Sequence, residues 1–204
     1  LLRDLGLVCH APPLFAEGGA LHVDGAGTLI TTAQCLLNPN RNPGMGRADV
    51  EEILKRNLGI RKVIWLEQGL SGDETDGHID NVACFSAPGH VILQGCDDPD
   101  DANYHIVADN LSQLRSARDA NGRSLEILQL PMPGKRLDSR GEPLTLSYVN
   151  FYLVNGGVIM PAFDDPADAL ARARMAAIFP DRRVVQLPAL DIVQGGGGIH
   201  CITQ

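Results

Sequence analysis

Alternating apolar and polar positions near the start of the chain predict a hairpin, then a helix and a third strand. Residues 20–23 and 28–32 both read as short strands, and the sequence between them, DGAG, consists of turn-forming residues. Residues 50–58 place apolar side chains at helical spacing, with Gly59 positioned to end the helix. Residues 61–67 (RKVIWLE) are rich in branched and aromatic side chains, which favours a buried strand. The predicted order is strand, strand, helix, strand.

The same order of elements returns twice further along the chain. The second and third copies have their predicted strand, strand, helix and strand at 78–85, 90–95, 104–114 and 124–130, and at 147–154, 157–163, 166–177 and 182–189. After a run of four glycines, residues 199–201 read as the first strand of a fourth copy. Repetition of one unit at this spacing predicts a repeat architecture.

The repeat predicts the fold class α+β, as a propeller-like domain built from units around one axis. The units lie at about 17–67, 72–131 and 145–190, and a stub over 191–204 starts a fourth, so that residues 1–204 form one domain. A doubly wound sheet is the rival, but tight hairpins favour antiparallel pairs. Because the first strands of radial repeats converge on one axis, polar residues on or beside them are expected to share a central pocket. These residues are Glu17, His78, Asp80, Asn150 and Cys201.

Composition is that of an ordinary globular protein. Of 204 residues, 44% are hydrophobic and 21% are charged, and 17 basic against 25 acidic residues give a net charge of -8. This charge disfavours nucleic-acid binding and favours a cationic ligand. No apolar run approaches the roughly 20 residues of a membrane-spanning helix, and the first residues do not resemble a secretory signal. We expect a soluble, cytoplasmic protein with no membrane contact.

The cysteines divide into two kinds. Five cysteines form no CxxC pair, and an odd number leaves at least one outside any intramolecular disulfide, which fits a reducing compartment. Cys35, Cys84 and Cys96 lie in strand-like apolar runs, where a cysteine acts most often as a small buried hydrophobe. Cys201 instead follows four glycines, which allow the backbone to approach a ligand closely. It is a candidate nucleophile, and the alternative is a structural cysteine after a flexible loop.

The segment GDETDGHIDN, residues 72–81, holds five titratable residues in one short polar stretch immediately before the apolar run VACF. In a strand starting near His78, the side chains of His78 and Asp80 point to the same face, where a carboxylate holds a cation and an imidazole moves a proton. A solvated acidic loop is one alternative. A divalent metal site is another, although the sequence has no second histidine at the spacing of a helical motif such as HExxH.

Two neighbouring residues are given supporting roles. Glu17 precedes two glycines and is expected to accept a hydrogen bond from His78 and fix its tautomer, while a loop or capping glutamate is the alternative. His200 is expected to point to the opposite strand face from Cys201, which suits core packing or support better than catalysis.

Four segments together resemble the agmatine deiminase family, within the wider superfamily that modifies guanidino groups. They are LLNPNRNP (36–43), GDETDGHIDNVACF (72–85), SYVNFYLVNGGVIMP (147–161) and GGGGIHCITQ (195–204). The resemblance implies a pseudo-fivefold propeller of ββαβ units. It also implies hydrolysis of agmatine to N-carbamoylputrescine and ammonia, a step toward putrescine, without a metal or an organic cofactor.

The resemblance further implies a role for each site residue. Cys201 attacks the guanidinium carbon to form a thiouronium intermediate, and His78 is the general acid and base. Asp80 binds the guanidinium nitrogens and Glu17 orients His78. Asn150 lines the substrate pocket and Glu74 supports it.

One departure from the family pattern concerns a further guanidinium-binding aspartate. The family carries it in a Trp-x-Arg-Asp motif well upstream, whereas Arg3-Asp4 lacks the tryptophan and lies too close to Glu17. The chain is therefore expected to be a C-terminal piece that begins about two blades into the propeller. Such a piece would expose strand edges and would be poorly active alone, or would aggregate.

Three rival functions stay open at this point. A peptidyl-arginine or other guanidine deiminase shares the chemistry and differs in the substrate tail. A non-catalytic propeller would keep the architecture without the reaction. A zinc or iron hydrolase would use His78 and Asp80 as ligands. The resemblance is also compatible with a homo-oligomer.

Overall fold

Three consecutive ββαβ units make up the chain, in a computed structural model that describes residues 4–203. The strands of these residues are β1 (His22–Val23), β2 (Thr28–Thr32), β3 (Lys62–Leu66), β4 (Ala83–Ala87), β5 (His90–Gln94), β6 (Glu126–Leu130), β7 (Tyr152–Val154), β8 (Gly157–Ala162) and β9 (Arg183–Pro188). The α-helices are α1 (Ala33–Leu36), α2 (Arg47–Leu58), α3 (Asn103–Ser116), α4 (Asp168–Ile178) and α5 (Leu190–Val193).

Each unit folds its three strands into a sheet of its own. The sheets have the orders β1-β2-β3, β4-β5-β6 and β7-β8-β9, and the middle strand pairs antiparallel on one side and parallel on the other. A tight hairpin makes the antiparallel pair, and a helical crossover is needed to bring the third strand back in parallel. The predicted fold class is confirmed, and the doubly wound alternative, with one shared sheet, is not what the chain forms.

Helix α2 shows why the predicted helices form where they do. The Asp49 side chain accepts a hydrogen bond from the backbone N–H of Gly46 at 2.8 Å, which caps the first turn. At the other end Gly59 adopts φ +66°, a left-handed conformation that only glycine reaches without strain. Trp65 donates its indole N–H to Glu51 at 3.0 Å and so ties β3 to the helix.

The apolar cores hold the three units together as well as filling each one. One core packs Ile30 and Ile64 of the first unit against Val91 and Leu93 of the second. Another core joins the second unit to the third and contains the fully buried Tyr148. Burial of each large aliphatic side chain contributes about 1.5–3 kcal/mol, so neighbouring units stabilise one another.

The polar residues at the starts of the units differ from the prediction, because they lie on turns and loops and not on strands. Three 3-10 turns lie in this region, here called turn 1 (Gly18–Ala20), turn 2 (Ile79–Asn81) and turn 3 (His200–Ile202). Glu17 and His78 immediately precede turns 1 and 2, Asp80 and Cys201 lie within turns 2 and 3, and Asn150 lies on a loop. The predictions of a strand from residue 78 and of a strand over 199–201 are therefore wrong. Strand β7 likewise covers only the end of the predicted 147–154.

Hydrogen bonds explain the turn in place of the predicted strand at His78. The backbone N–H of Val82 donates to the carbonyl of Ile79 at 2.9 Å, which closes turn 2 before β4 begins. The backbone N–H of His78 donates to the Thr75 hydroxyl at 3.2 Å. The apolar run that marks the strand starts only after this turn, so the alternation of side chains cannot be extended back to residue 78.

Cys35, Cys84 and Cys96 are buried, as predicted, and all five cysteines are free thiols. Over residues 4–203, no helix has both the length and the apolar character required to cross a bilayer.

Candidate active site

Turns 1, 2 and 3 meet at one point, and Gly19 shows how closely they pack. A Cβ atom on Gly19 would lie 2.6 Å from Nδ1 of His78 and 2.7 Å from Oδ2 of Asp80. Such distances are far below van der Waals contact, so only glycine allows turn 1 to approach these two side chains. His78 and Asp80 therefore do face the same place, although a turn and not a strand brings them there.

Asp80 is at the centre of the site. Its side chain is buried, with Oδ2 at 2.9 Å from Nδ1 of His200 and at 3.7 Å from Sγ of Cys201. Its other oxygen, Oδ1, is buried and has no hydrogen-bond partner among the described residues. A buried carboxylate oxygen without a donor costs free energy, and a cationic donor group would remove that cost.

Cys201 approaches both Asp80 and Asn150. Its Sγ lies 3.4 Å from Nδ2 of Asn150, which can donate a hydrogen bond to the sulfur. Although the residue is exposed, partial burial of its sulfur and, after it, the negative charge of Asp80 raise the pKa of the thiol above its ordinary value. The thiol is therefore protonated at neutral pH until a positive charge arrives beside it.

Asn150 connects turn 2 to turn 3. Its Nδ2 donates to Oδ1 of Asn81 at 3.0 Å, and its Oδ1 accepts from the backbone N–H of His200 at 2.9 Å. A Cβ atom on Gly198 would collide with the Asn150 side chain. The glycine run before Cys201 therefore lets the backbone pass close to this amide, which fixes the position of the cysteine.

His78 and Glu17 lie close together, but not at hydrogen-bond distance. Nε2 of the buried His78 is 3.6 Å from Oε2 of Glu17, and it has no hydrogen-bond partner among the described residues. Nε of Arg41 donates to both Glu17 oxygens, at 2.9 and 3.0 Å. Partial burial acts to raise the pKa of Glu17, but a backbone hydrogen bond and Arg41 outweigh it and hold that pKa below its ordinary value. Glu17 is therefore an anion beside the imidazole.

Glu74 lies at the rim of the site. Its side chain is 70% exposed and its carboxylate is 3.8 Å from the guanidinium of Arg140. It lines a cleft that also reaches Asp73, Leu144 and Cys201. Glu74 is too exposed to be part of the buried group around Asp80, but it adds negative charge to the approach.

The sequence analysis missed one residue of the site and misplaced another. Arg41 belongs to the segment LLNPNRNP (36–43), which entered only as a motif of the family resemblance, with no role for the arginine. His200 was assigned to the opposite face from Cys201 because a strand was assumed. In a 3-10 turn, consecutive side chains are about 120° apart, so both can border one cleft. The contact of His200 with Asp80 corrects that assignment.

The alternative of a metal site on His78 and Asp80 is matched only in part by the described residues. Within residues 4–203, one group of three possible metal ligands was found, formed by Glu17, Cys35 and His78. Asp80 is not a member of this group.

Comparisons with known proteins identify the family of the chain. A family model described as Porphyromonas-type peptidyl-arginine deiminase matches residues 1–204. The agmatine deiminase of Ectopseudomonas mendocina (strain ymp) is 48% identical over 205 residues, which cover 92% of this chain and 56% of that protein. The chain thus spans a little over half the length of this relative.

Solved structures give the same result for the fold. The agmatine deiminase of Enterococcus faecalis superposes with a TM-score of 0.94 at 35% identity, over 100% of this chain and 60% of that one. A substrate-bound agmatine deiminase of C. jejuni with a cysteine-to-serine substitution superposes with a TM-score of 0.85 at 29% identity, over 92% of this chain and 55% of that one. The resemblance to agmatine deiminases is confirmed. Because the family model matches from the first residue to the last, the chain belongs to the Porphyromonas-type peptidyl-arginine deiminase family.

Proposed function

We propose that the protein hydrolyses agmatine to N-carbamoylputrescine and ammonia, with Cys201 as the nucleophile. The observation that carries the proposal is the surroundings of Asp80. This buried carboxylate has one oxygen without a donor and lies 3.7 Å from the sulfur of Cys201. A guanidinium group donates paired hydrogen bonds to a carboxylate, and it would bring its carbon beside the thiol.

Substrate binding activates the nucleophile. The positive guanidinium neutralises Asp80, the charge that helps to raise the pKa of Cys201. The thiol proton passes to His78, and the thiolate attacks the guanidinium carbon. Asn150 Nδ2, at 3.4 Å from the sulfur, stabilises the negative charge that the sulfur carries as a thiolate before it attacks.

His78 carries the proton through the remaining steps. It gives the proton to the departing nitrogen, the C–N bond breaks and ammonia leaves, with the substrate carbon now bonded to sulfur. His78 then accepts a proton from water as the oxygen attacks that carbon. The C–S bond breaks, the ureido product leaves and the thiol is restored. Glu17, an anion at 3.6 Å from Nε2, stabilises the imidazolium that forms between these steps.

The acidic rim favours a substrate with a cationic tail. Asp73 and Glu74 line the cleft that reaches Cys201, so a tail that ends in an ammonium group is attracted and one that ends in a carboxylate is repelled. Relatives of this chain bear the name agmatine deiminase, and one of them was solved with substrate bound as a cysteine-to-serine variant. These observations favour agmatine over free arginine.

Peptidyl arginine is the second candidate substrate, supported by the description of the family model. The experiment is to measure ammonia release from agmatine, arginine and an arginine peptide with the whole protein. We expect the highest kcat/KM for agmatine. A preference for the peptide would replace the proposed substrate. No release from any of the three would favour a non-catalytic propeller.

The biological setting follows from this reaction. N-carbamoylputrescine is a precursor of putrescine, so the enzyme belongs to polyamine biosynthesis. Five free thiols fit a reducing compartment, the cytoplasm. A homo-oligomer is compatible with the proposal, and size-exclusion chromatography with light scattering would test it.

A further inference from the structure

Three donor atoms of different chemistry face one another next to the candidate active site. They are a carboxylate oxygen of Glu17, the sulfur of Cys35 and a ring nitrogen of His78, all within 4.8 Å of one another. The residues come from turn 1's entry, helix α1 and the entry to turn 2, so only the folded chain brings them together. The proposed reaction has no use for Cys35.

The ring of His78 points an unpaired atom into this group. His78 is 7% exposed, and its buried Nε2 lacks a hydrogen-bond partner among the described residues while lying 3.6 Å from Glu17. A buried polar atom without a partner is unfavourable. A cation bonded to this nitrogen would satisfy it, which is an indication independent of the clustering itself.

The donor set matches zinc. Sulfur, imidazole nitrogen and carboxylate oxygen are the ligand types that Zn²⁺ uses, with bonds of about 2.0–2.3 Å and a fourth position for water or substrate. Ligand atoms of a tetrahedral site are therefore separated by about 3.3–3.8 Å, and Nε2 of His78 and Oε2 of Glu17, 3.6 Å apart, already match this spacing. Cys35 and His78 are buried, and the half-exposed side chain of Glu17 has room to adjust to a bound ion.

Glu17 binds Arg41 and would also bind the proposed ion, but the position of Arg41 does not depend on Glu17 alone. Its guanidinium also donates to Asp76 at 3.0 Å and to the Thr75 carbonyl at 2.8 Å, so it stays in place if Glu17 shifts. The charges facing the Cys35 thiol are those of Arg41, Glu17, Asp76 and Asp73. Desolvation by burial is the main cause that raises the pKa of this thiol, to about 12.

We infer that Glu17, Cys35 and His78 form a reversible binding site for a thiophilic divalent cation of the zinc class, and that its occupancy stops turnover. The inhibitory part rests on the proposed function, because it assigns proton transfer to His78. A ring nitrogen bonded to a metal cannot carry a proton. The binding part depends on geometry alone.

Cobalt is the probe for binding, because a thiolate bonded to Co²⁺ gives a charge-transfer absorption. The background protein is Cys9→Ser with Cys201→Ser, which removes the two exposed thiols. We expect one Co²⁺ per chain and a sulfur charge-transfer band in this background. Adding Cys35→Ser should abolish the band, and adding Cys84→Ser, a substitution of another buried cysteine, should leave it unchanged. No band in the background, or a band that survives Cys35→Ser, would overturn the inference.

If Cys35→Ser does not fold, a variant of the half-exposed Glu17 still tests the site. In the same background, Glu17→Gln should weaken Zn²⁺ affinity at least tenfold, measured by competition with a chromophoric chelator. Unchanged affinity would contradict the site. In the protein with its native cysteines, Zn²⁺ should inhibit ammonia release and a chelator should restore it. If cobalt binds but zinc does not inhibit, the inhibitory role is refuted, and the result also counts against proton transfer by His78. If no metal binds, the proposed function is not affected.

Discussion

The carboxylate of Asp80 lies 2.9 Å from the imidazole of His200, a residue 120 positions later in the chain. The carboxylate only accepts hydrogen bonds, so Nδ1 of His200 carries the proton in this contact. One oxygen of Asp80 is held in this way, and the other, Oδ1, is buried without a hydrogen-bond partner among the described residues. His200 thus acts as a positioning residue for Asp80.

Removal of this contact should weaken catalysis without unfolding the protein. A hydrogen bond to a charged group contributes about 1.5–3 kcal/mol, so His200→Ala should lower kcat/KM for agmatine by about 10- to 100-fold. In His200→Asn, the amide nitrogen can take the place of Nδ1 and should restore most of the activity. Steady-state kinetics check this, with the melting temperature as a control for folding. Equal losses in both variants would contradict the positioning role.

Gly19 and Gly18 form a matched pair for testing how closely turn 1 must approach. Gly19→Ala would place a methyl group 2.6 Å from His78 and 2.7 Å from Asp80, so both side chains must move. Misplacement by about 1 Å can cost about 10²-fold in rate, and we expect a loss of kcat/KM of that order. Gly18 has no atom within 4 Å of such a methyl group, and Gly18→Ala should keep activity within about twofold. If the two variants have the same kcat/KM, the close approach of turn 1 to His78 and Asp80 is not required for catalysis.

The raised pKa of Cys201 predicts slow alkylation at neutral pH. Burial and, after it, the charge of Asp80 raise this pKa, so in a Cys9→Ser protein the rate with iodoacetamide should still be increasing above the ordinary thiol pKa. Asp80→Asn removes the negative charge and should shift the midpoint of the profile to lower pH. Mass spectrometry of the modified peptide measures the rate. Full reactivity already at pH 7 would show that the free enzyme holds a thiolate.

Arg41 should stabilise the fold in a pH-dependent manner. The pKa of Glu17 is held below its ordinary value by the causes given above, and that of Asp76 is lowered by hydrogen bonds first from Asn40 and then from Arg41. Stability from lowered carboxylate pKa values is present above the unfolded pKa, about 4, and is lost as pH falls through the folded pKa. Because both carboxylates are partly exposed, Arg41→Gln should cost only about 1 kcal/mol at pH 7.

Urea unfolding at pH 7 and pH 3 measures this effect. The difference between the native protein and Arg41→Gln should be smaller at pH 3 than at pH 7, because pH 3 lies below the ordinary pKa of both carboxylates, about 4, where the unfolded chain takes up protons. Arg56→Gln is the control, because its ion pair with Glu52, at 3.9 Å, is exposed on both sides and its loss should change stability little at either pH. A difference for Arg41→Gln that stays constant with pH would mean that the Thr75 carbonyl contact, and not charge, is what matters.

The repeated ββαβ order was predictable because its signals are local. Turn residues between short apolar runs fix the hairpins, and helical spacing followed by Gly59 fixes α2 and its end. The starts of the units were not predictable in this way. Asn150 donates a hydrogen bond to Asn81, 69 positions earlier, and the apolar periodicity within one segment does not predict such a bond.

The candidate site was predictable in its residue types but not in its contacts. Polar residues beside glycines indicated His78, Asp80 and Cys201, whereas the partners of these residues depend on how the turns meet. Arg41 lies between Glu17 and Asp76, which are 59 positions apart, and only tertiary structure brings them to one guanidinium.

The residues of the candidate site lie on turns and loops outside the nine described strands, so the scaffold and the chemistry occupy separate stretches of chain. Substitutions in the turns can alter which molecule is recognised while strand pairing and core packing continue to specify the same shape. Descendants of one ancestral gene can therefore diverge in selectivity at little cost in foldability. A protein engineer can use the same freedom by randomising the rim around Glu74 and leaving the sheets untouched.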